Sequence, residues 1–156
     1  MRKMEKRNYE KHQVRCNQVN LQQSKAAIEN LMQVITREKR RLALIQEPNL
    51  FQGRPIGITN IYRTFIAGEG KSRAAIVVSD TTIDAFLITQ LSDNDTVLLE
   101  IDNGQIHFYT ASIYFDYNDP IENSIKTIEK IVKFTKGAKL IITIDVTPDQ
   151  QLGTTS

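Results

Sequence analysis

Apolar residues in this chain follow two rhythms. Leu42-Ala43-Leu44-Ile45 is an unbroken apolar run, as expected of a strand covered on both faces. Pro48 cannot donate to a sheet ladder, so the strand ends near Gln46 and leaves Glu47 at its carboxyl edge. Residues 14–21 alternate loosely and read as an earlier strand ending near Asn20. Between the two, residues 22–39 switch to helical spacing, with Ala27, Ile28, Leu31, Met32 and Ile35 on one stripe. Ser24 stands at the N-cap position, and Arg37, Lys39, Arg40 and Arg41 place positive charge where the helix dipole is negative. Strand, helix, strand in this span predicts a βαβ-type unit.

The middle of the chain is β-rich. Residues 51–57 are punctuated by Gly53, Pro55 and Gly57 and read as a loop. Strands are predicted over residues 60–67, 73–79, 82–91, 96–101 and 105–114. Gly68-Glu69-Gly70-Lys71 has the wrong spacing for a phosphate loop and reads as a hairpin turn between the first two. Asp102-Asn103-Gly104 joins the last two, with Asn and Gly both suited to positive φ. In the final strand Ile106, Phe108, Thr110 and Ser112 share one face and His107, Tyr109, Ala111 and Ile113 the other. A polar loop over 115–120 leads to a second amphipathic helix at 121–136, with Gly137 beyond its end. Leu140 to Ile144 is a second buried run, and it too ends on a carboxylate, Asp145. Four or five consecutive strands do not suit a doubly wound sheet. The pattern predicts an α/β sandwich, with sheet packed on sheet and helices outside.

Composition narrows the picture. The 156 residues suffice for one domain. The single cysteine, Cys16, excludes an intrachain disulfide and suits a reducing, intracellular setting. No apolar run is long enough to span a membrane, and the N-terminus lacks the apolar core of a signal peptide. Residues 1–15 carry six Lys/Arg against two Glu, whereas the rest of the chain is mildly acidic. A basic arm over 1–13 could touch nucleic acid, but the reading that general priors favour is a disordered, solvated tail.

Three strand-like segments thus end on groups able to bind a cation or position a phosphate: Asn20, Glu47 and Asp145. A fourth ends on Tyr114, with Asp116 close behind. Hard divalent cations favour such oxygen ligands, with one or two carboxylates and substrate phosphates completing the shell. With Cys16, His12 and His107 alone available, no zinc spacing exists, and no G-x-S-x-G, Walker or dinucleotide glycine pattern is present. His107 sits mid-strand, as a packed or surface histidine would.

Five segments in order carry a family resemblance. They are Asn20 to Ala27 (NLQQSKAA), Leu44 to Pro48 (LIQEP), Ser72 to Val78 (SRAAIVV), Ala111 to Tyr114 (ASIY) and Leu140 to Asp145 (LIITID). Over residues 14–156 the chain resembles the endonuclease domain of non-LTR (LINE-type) retrotransposons, within the endonuclease/exonuclease/phosphatase superfamily of DNase I-like enzymes. The resemblance implies a four-layer α/β sandwich, of which this chain is the N-terminal part. It also implies nicking of DNA with Mg²⁺ (or Mn²⁺), in the nucleus, alongside the reverse transcriptase domain of the parent element. By this resemblance Glu47 and Asn20 hold the metal, Asn20 and Tyr114 contact the phosphate, and Asp145 orients or deprotonates the attacking water. Thr147 occupies the Asn position of the family's Asp-x-Asn motif; it hydrogen-bonds, but it is shorter than an amide. No Trp follows, and neither histidine matches the family's terminal Ser-Asp-His. The resemblance therefore implies a truncated, impaired endonuclease. The competing expectation is a non-catalytic nucleic-acid-binding or interaction remnant.

Overall fold

The structure, a computed structural model, describes residues 14–38 and 41–145. The predicted arm, Thr147 and the remainder of 146–156 lie outside the described residues. The βαβ unit forms as expected: β1 (Arg15–Asn20), α1 (Lys25–Arg37) and β2 (Arg41–Gln46), with β1 and β2 parallel from Arg15↔Arg41 to Asn20↔Gln46. Ser24 caps α1, its Oγ accepting from the Ala27 N–H at 3.3 Å. A short hairpin follows, β3 (Leu50–Phe51) with β4 (Arg54–Pro55), in place of the irregular loop expected there. β5 (Arg63–Phe65) and β6 (Ala74–Val78) complete a first sheet in the order β1-β2-β6-β5. β7 (Asp84–Leu87), β8 (Thr96–Asp102), β9 (His107–Tyr114) and β10 (Lys139–Asp145) form a second, ordered β10-β9-β8-β7. Here α2 (Ile121–Phe134) is the crossover that makes β9 and β10 parallel.

Strand alternation sorts these elements into layers. Leu42 and Leu44 join Ile76, Val97, Leu99, Ile101 and Phe108 in a core between the two sheets. Their sequence neighbours Ala43 and Ile45 point the other way and pack on Ile28, Leu31 and Ile35 of α1. In the second sheet Leu98, Ala111 and Ile113 turn outward to Ile131 of α2. The result is helix, sheet, sheet, helix: the four-layer sandwich. The apolar runs of β2 and β6, the central strands of the first sheet, are covered on both faces because each face meets a different layer.

Four local expectations are corrected. The strand predicted over 60–67 reduces to three residues, and the run over 82–91 breaks after Leu87 into a 3₁₀ turn, Thr89–Leu91. The connection carrying Gly68 and Gly70 does join antiparallel strands, but it is broad and folds over Asn94. A Cβ at Gly68 would stand 2.2 Å from Asn94 Oδ1, and the Gly70 N–H donates to that oxygen at 3.2 Å. In the β8–β9 hairpin only Gly104 takes a positive φ. Asn103 contributes through its side chain, which accepts from the N–H groups of Gln105 and Ile106.

Candidate active site

Each sheet contributes one parallel strand pair, and the carboxyl ends of the two pairs meet. In the first sheet, Gln22 and Gln23 both adopt left-handed backbone (φ 49° and 57°), turning the chain sharply from β1 into α1. The Leu21 N–H donates to the Gln46 carbonyl at 2.9 Å, and the Gln23 N–H donates to the Glu47 carbonyl at 3.0 Å. The Glu47 N–H donates to the Arg73 carbonyl at 2.8 Å. Held on both sides, Glu47 itself sits at φ 50°, a conformation that L residues resist by roughly 1–2 kcal/mol. Backbone strain of this kind at a candidate site is a hypothesis of function.

The second sheet sets Tyr114 directly beside Asp145 in register. Asn20 closes the gap between sheets. Its Oδ1 accepts from the Gln22 N–H at 2.8 Å, and its Nδ2 donates to Asp145 Oδ2 across 125 residues of sequence. Asn20, Glu47, Tyr114 and Asp145 therefore share one rim of the sandwich. Thr147, the fifth predicted residue, lies outside the described residues.

Charges at this rim are coupled. Burial and the nearby Glu47 carboxylate push the Asp145 carboxyl above its ordinary value, against the Asn20 bond that lowers it. Burial and Glu47 likewise raise the Tyr114 hydroxyl, opposed by Arg73. The Glu47 carboxylate opposes ionisation of Asp145, and a cation held beside Glu47 would relieve that repulsion. Among the described residues no side chain donates to the Glu47 carboxylate, and no group of three or more His, Cys, Asp or Glu is assembled as a cage. The Glu47 carboxylate and the Asn20 amide oxygen are hard oxygen donors, which fit Mg²⁺ or Mn²⁺ with a largely aqueous shell and do not fit zinc.

Sequence reasoning missed Arg73 as a member of this rim. Its guanidinium forks onto Asp95 with two bonds of 2.7 Å and reaches Asp116 with a third of 2.7 Å. The same group stands 4.8 Å from the centroid of the Tyr114 ring. Its partners raise the Arg73 pKa. The Asn118 N–H, and then Arg73, hold the Asp116 carboxyl below its usual range. The available signal was a charged residue opening the apolar run Ala74-Ala75-Ile76-Val77-Val78. A polar recess of about 150 Å³, lined by Asp93, Asp95, Asp116 and Asp119, opens beside Tyr114. His107 lies at the opposite end of β9, exposed and paired with Glu100 at 3.0 Å, so it takes no part.

No family model matches the chain, and no curated protein matches it. Among solved structures it is similar to the endonuclease domain of TRAS1, a telomere-specific non-LTR retrotransposon. The TM-score is 0.73 at 28% sequence identity, over 91% of this chain and 69% of that one. The fold is that of the DNase I-like nucleases. A D. rerio TDP2 humanized by 14 mutations is similar in fold alone, with a TM-score of 0.54 at 11% identity over 89% of this chain and 65% of that one. In this DNase I-like chain no helix among the described residues is long and apolar enough to cross a membrane.

Proposed function

We propose that this chain is a DNA endonuclease domain of the retrotransposon type, hydrolysing a phosphodiester with Mg²⁺ or Mn²⁺. One observation carries the reading: Asn20 on the first sheet hydrogen-bonds Asp145 on the second, in a rim that also presents Glu47 and Tyr114. Similarity to the TRAS1 endonuclease domain supports DNA as the substrate. Glu47 and the Asn20 amide oxygen would hold the cation, which when bound supplies charge to the phosphoryl oxygen and acidity to water. Asp145 accepts the water's proton or orients it, and its raised pKa suits a base. Tyr114, braced by Arg73, donates its hydroxyl to a phosphate oxygen. For Thr147, which lies outside the described residues, the resemblance supports a phosphate-facing role with a hydroxyl in place of the family's amide, and with it an impaired rate. Action in the nucleus beside a reverse transcriptase domain belongs to the same proposal.

The test is conversion of supercoiled plasmid to open circle with Mg²⁺, with Glu47→Ala in parallel. Nicking that requires Glu47 supports the reading. A folded, soluble protein without nicking refutes it and favours a non-catalytic nucleic-acid-binding remnant. Salt-sensitive DNA binding that is lost on deleting residues 1–13 is then the positive sign.

A further inference from the structure

The core between the sheets is apolar along most of its length, but one pleat beneath the rim it turns polar. Gln46 and Ser112 are both 0% exposed. Gln46 Nε2 donates to Ser112 Oγ at 2.9 Å and, more weakly, to Thr143 Oγ1 at 3.4 Å. Ser112 Oγ donates to the Ile45 carbonyl at 2.8 Å, so this hydroxyl is bonded to β2 twice. Gln18 Nε2 donates to the Ile144 carbonyl at 3.1 Å and stands 3.5 Å from Gln46 Oε1. The seam joins β1 and β2 of the first sheet to β9 and β10 of the second.

Strand periodicity makes its position meaningful. Gln18 and Asn20 share a face two residues apart, as do Ser112 with Tyr114 and Thr143 with Asp145; Gln46 directly precedes Glu47. Every rim residue has a seam residue one or two positions below it. An apolar layer would slide or tilt at little cost, because dispersion contacts are not directional. Buried hydrogen bonds tolerate neither movement, since an orphaned polar group in the core is costly.

We propose that Gln46 and Ser112, assisted by Gln18 and Thr143, are positioning residues that fix the gap between the two halves of the active site. Glu47 and Asn20 ride on one half, Tyr114 and Asp145 on the other. The inference rests on the endonuclease reading for its consequence in catalysis, but its geometric content stands apart from activity.

The experiment compares wild type, Ser112→Ala, and the double variant Gln46→Met with Ser112→Ala. The double variant leaves no orphan between these two partners, so its melting temperature should return toward wild type from that of the single variant. Two readouts follow position rather than stability. Hydrogen exchange of the Asn20 side-chain amide, followed by NMR without metal, should accelerate in both variants. The Mg²⁺ concentration for half-maximal nicking should rise by roughly tenfold to a hundredfold, the usual effect of removing groups that support metal ligands. Ile101→Val, an apolar change in the same inter-sheet layer, should lower stability and move neither readout. Asn20 exchange at the wild-type rate in the folded variants overturns the proposal. A wild type that does not nick refutes the endonuclease reading alone; Asn20 exchange still decides the seam.

Discussion

Glu47→Gly should make the protein more stable and abolish its nicking. Glu47 is held at φ 50° by the carbonyl of Arg73 and the N–H of Gln23. That conformation costs an L residue roughly 1–2 kcal/mol, and glycine escapes the cost. Glycine also widens the unfolded ensemble, which takes back about 0.4–1 kcal/mol. The net backbone gain over Glu47→Ala is therefore about 0.5–1 kcal/mol, and a chain of this size converts it to roughly 1–4 °C in melting temperature. Both substitutions also remove the carboxylate that opposes ionisation of Asp145, which adds to stability at neutral pH. The assay is thermal unfolding of Glu47→Gly, Glu47→Ala and wild type without divalent cation, with plasmid nicking alongside. The comparison of Gly with Ala isolates the backbone, because neither carries the carboxylate. If Glu47→Gly melts at or below Glu47→Ala, Glu47 is not strained, and the inference from strain to function fails.

Other consequences can be checked in the same preparations. Arg73→Lys keeps the charge but loses the fork onto Asp95, so it should cost about 1–2 kcal/mol after discounting for partial exposure, and nicking should fall through loss of the brace on Tyr114. An unchanged urea midpoint with unchanged nicking would refute that role. Asp145→Asn tests the electrostatics. Because the folded pKa is raised, the folded state binds this proton more tightly than the unfolded chain. The favourable term is complete below the unfolded value, near 3.9, and fades as pH rises through the folded one. The variant should accordingly melt above wild type near neutral pH and lose that advantage in acid; a pH-independent difference contradicts the coupling. Ile131 is 0% exposed and anchors α2, so Ile131→Ala should cost about 2–5 kcal/mol, and a loss under 1 kcal/mol would mean that α2 contributes little to the fold.

Much of the fold was legible because its signals are local. Ser24 and the stripe from Ile28 to Ile35 define α1 within one stretch of chain, and Pro48 stops β2 wherever β2 lies in the sheet. The strand ends at Asn20, Glu47 and Asp145 could likewise be read one at a time. What tertiary structure alone decided is non-local. Asn20 meets Asp145 across 125 residues of sequence, and Arg73, just ahead of β6, reaches Asp95, Asp116 and the Tyr114 ring. No periodicity encodes those meetings, since they depend on which sheet faces which and in what register. The positive φ of Glu47 and the buried bond from Gln46 to Ser112 are decided the same way. Local sequence sets each strand's length and faces. The packing of two sheets across one core sets which polar groups are left facing each other: Gln46 and Ser112 find partners there, whereas the equally buried Thr110 hydroxyl has none among the described residues.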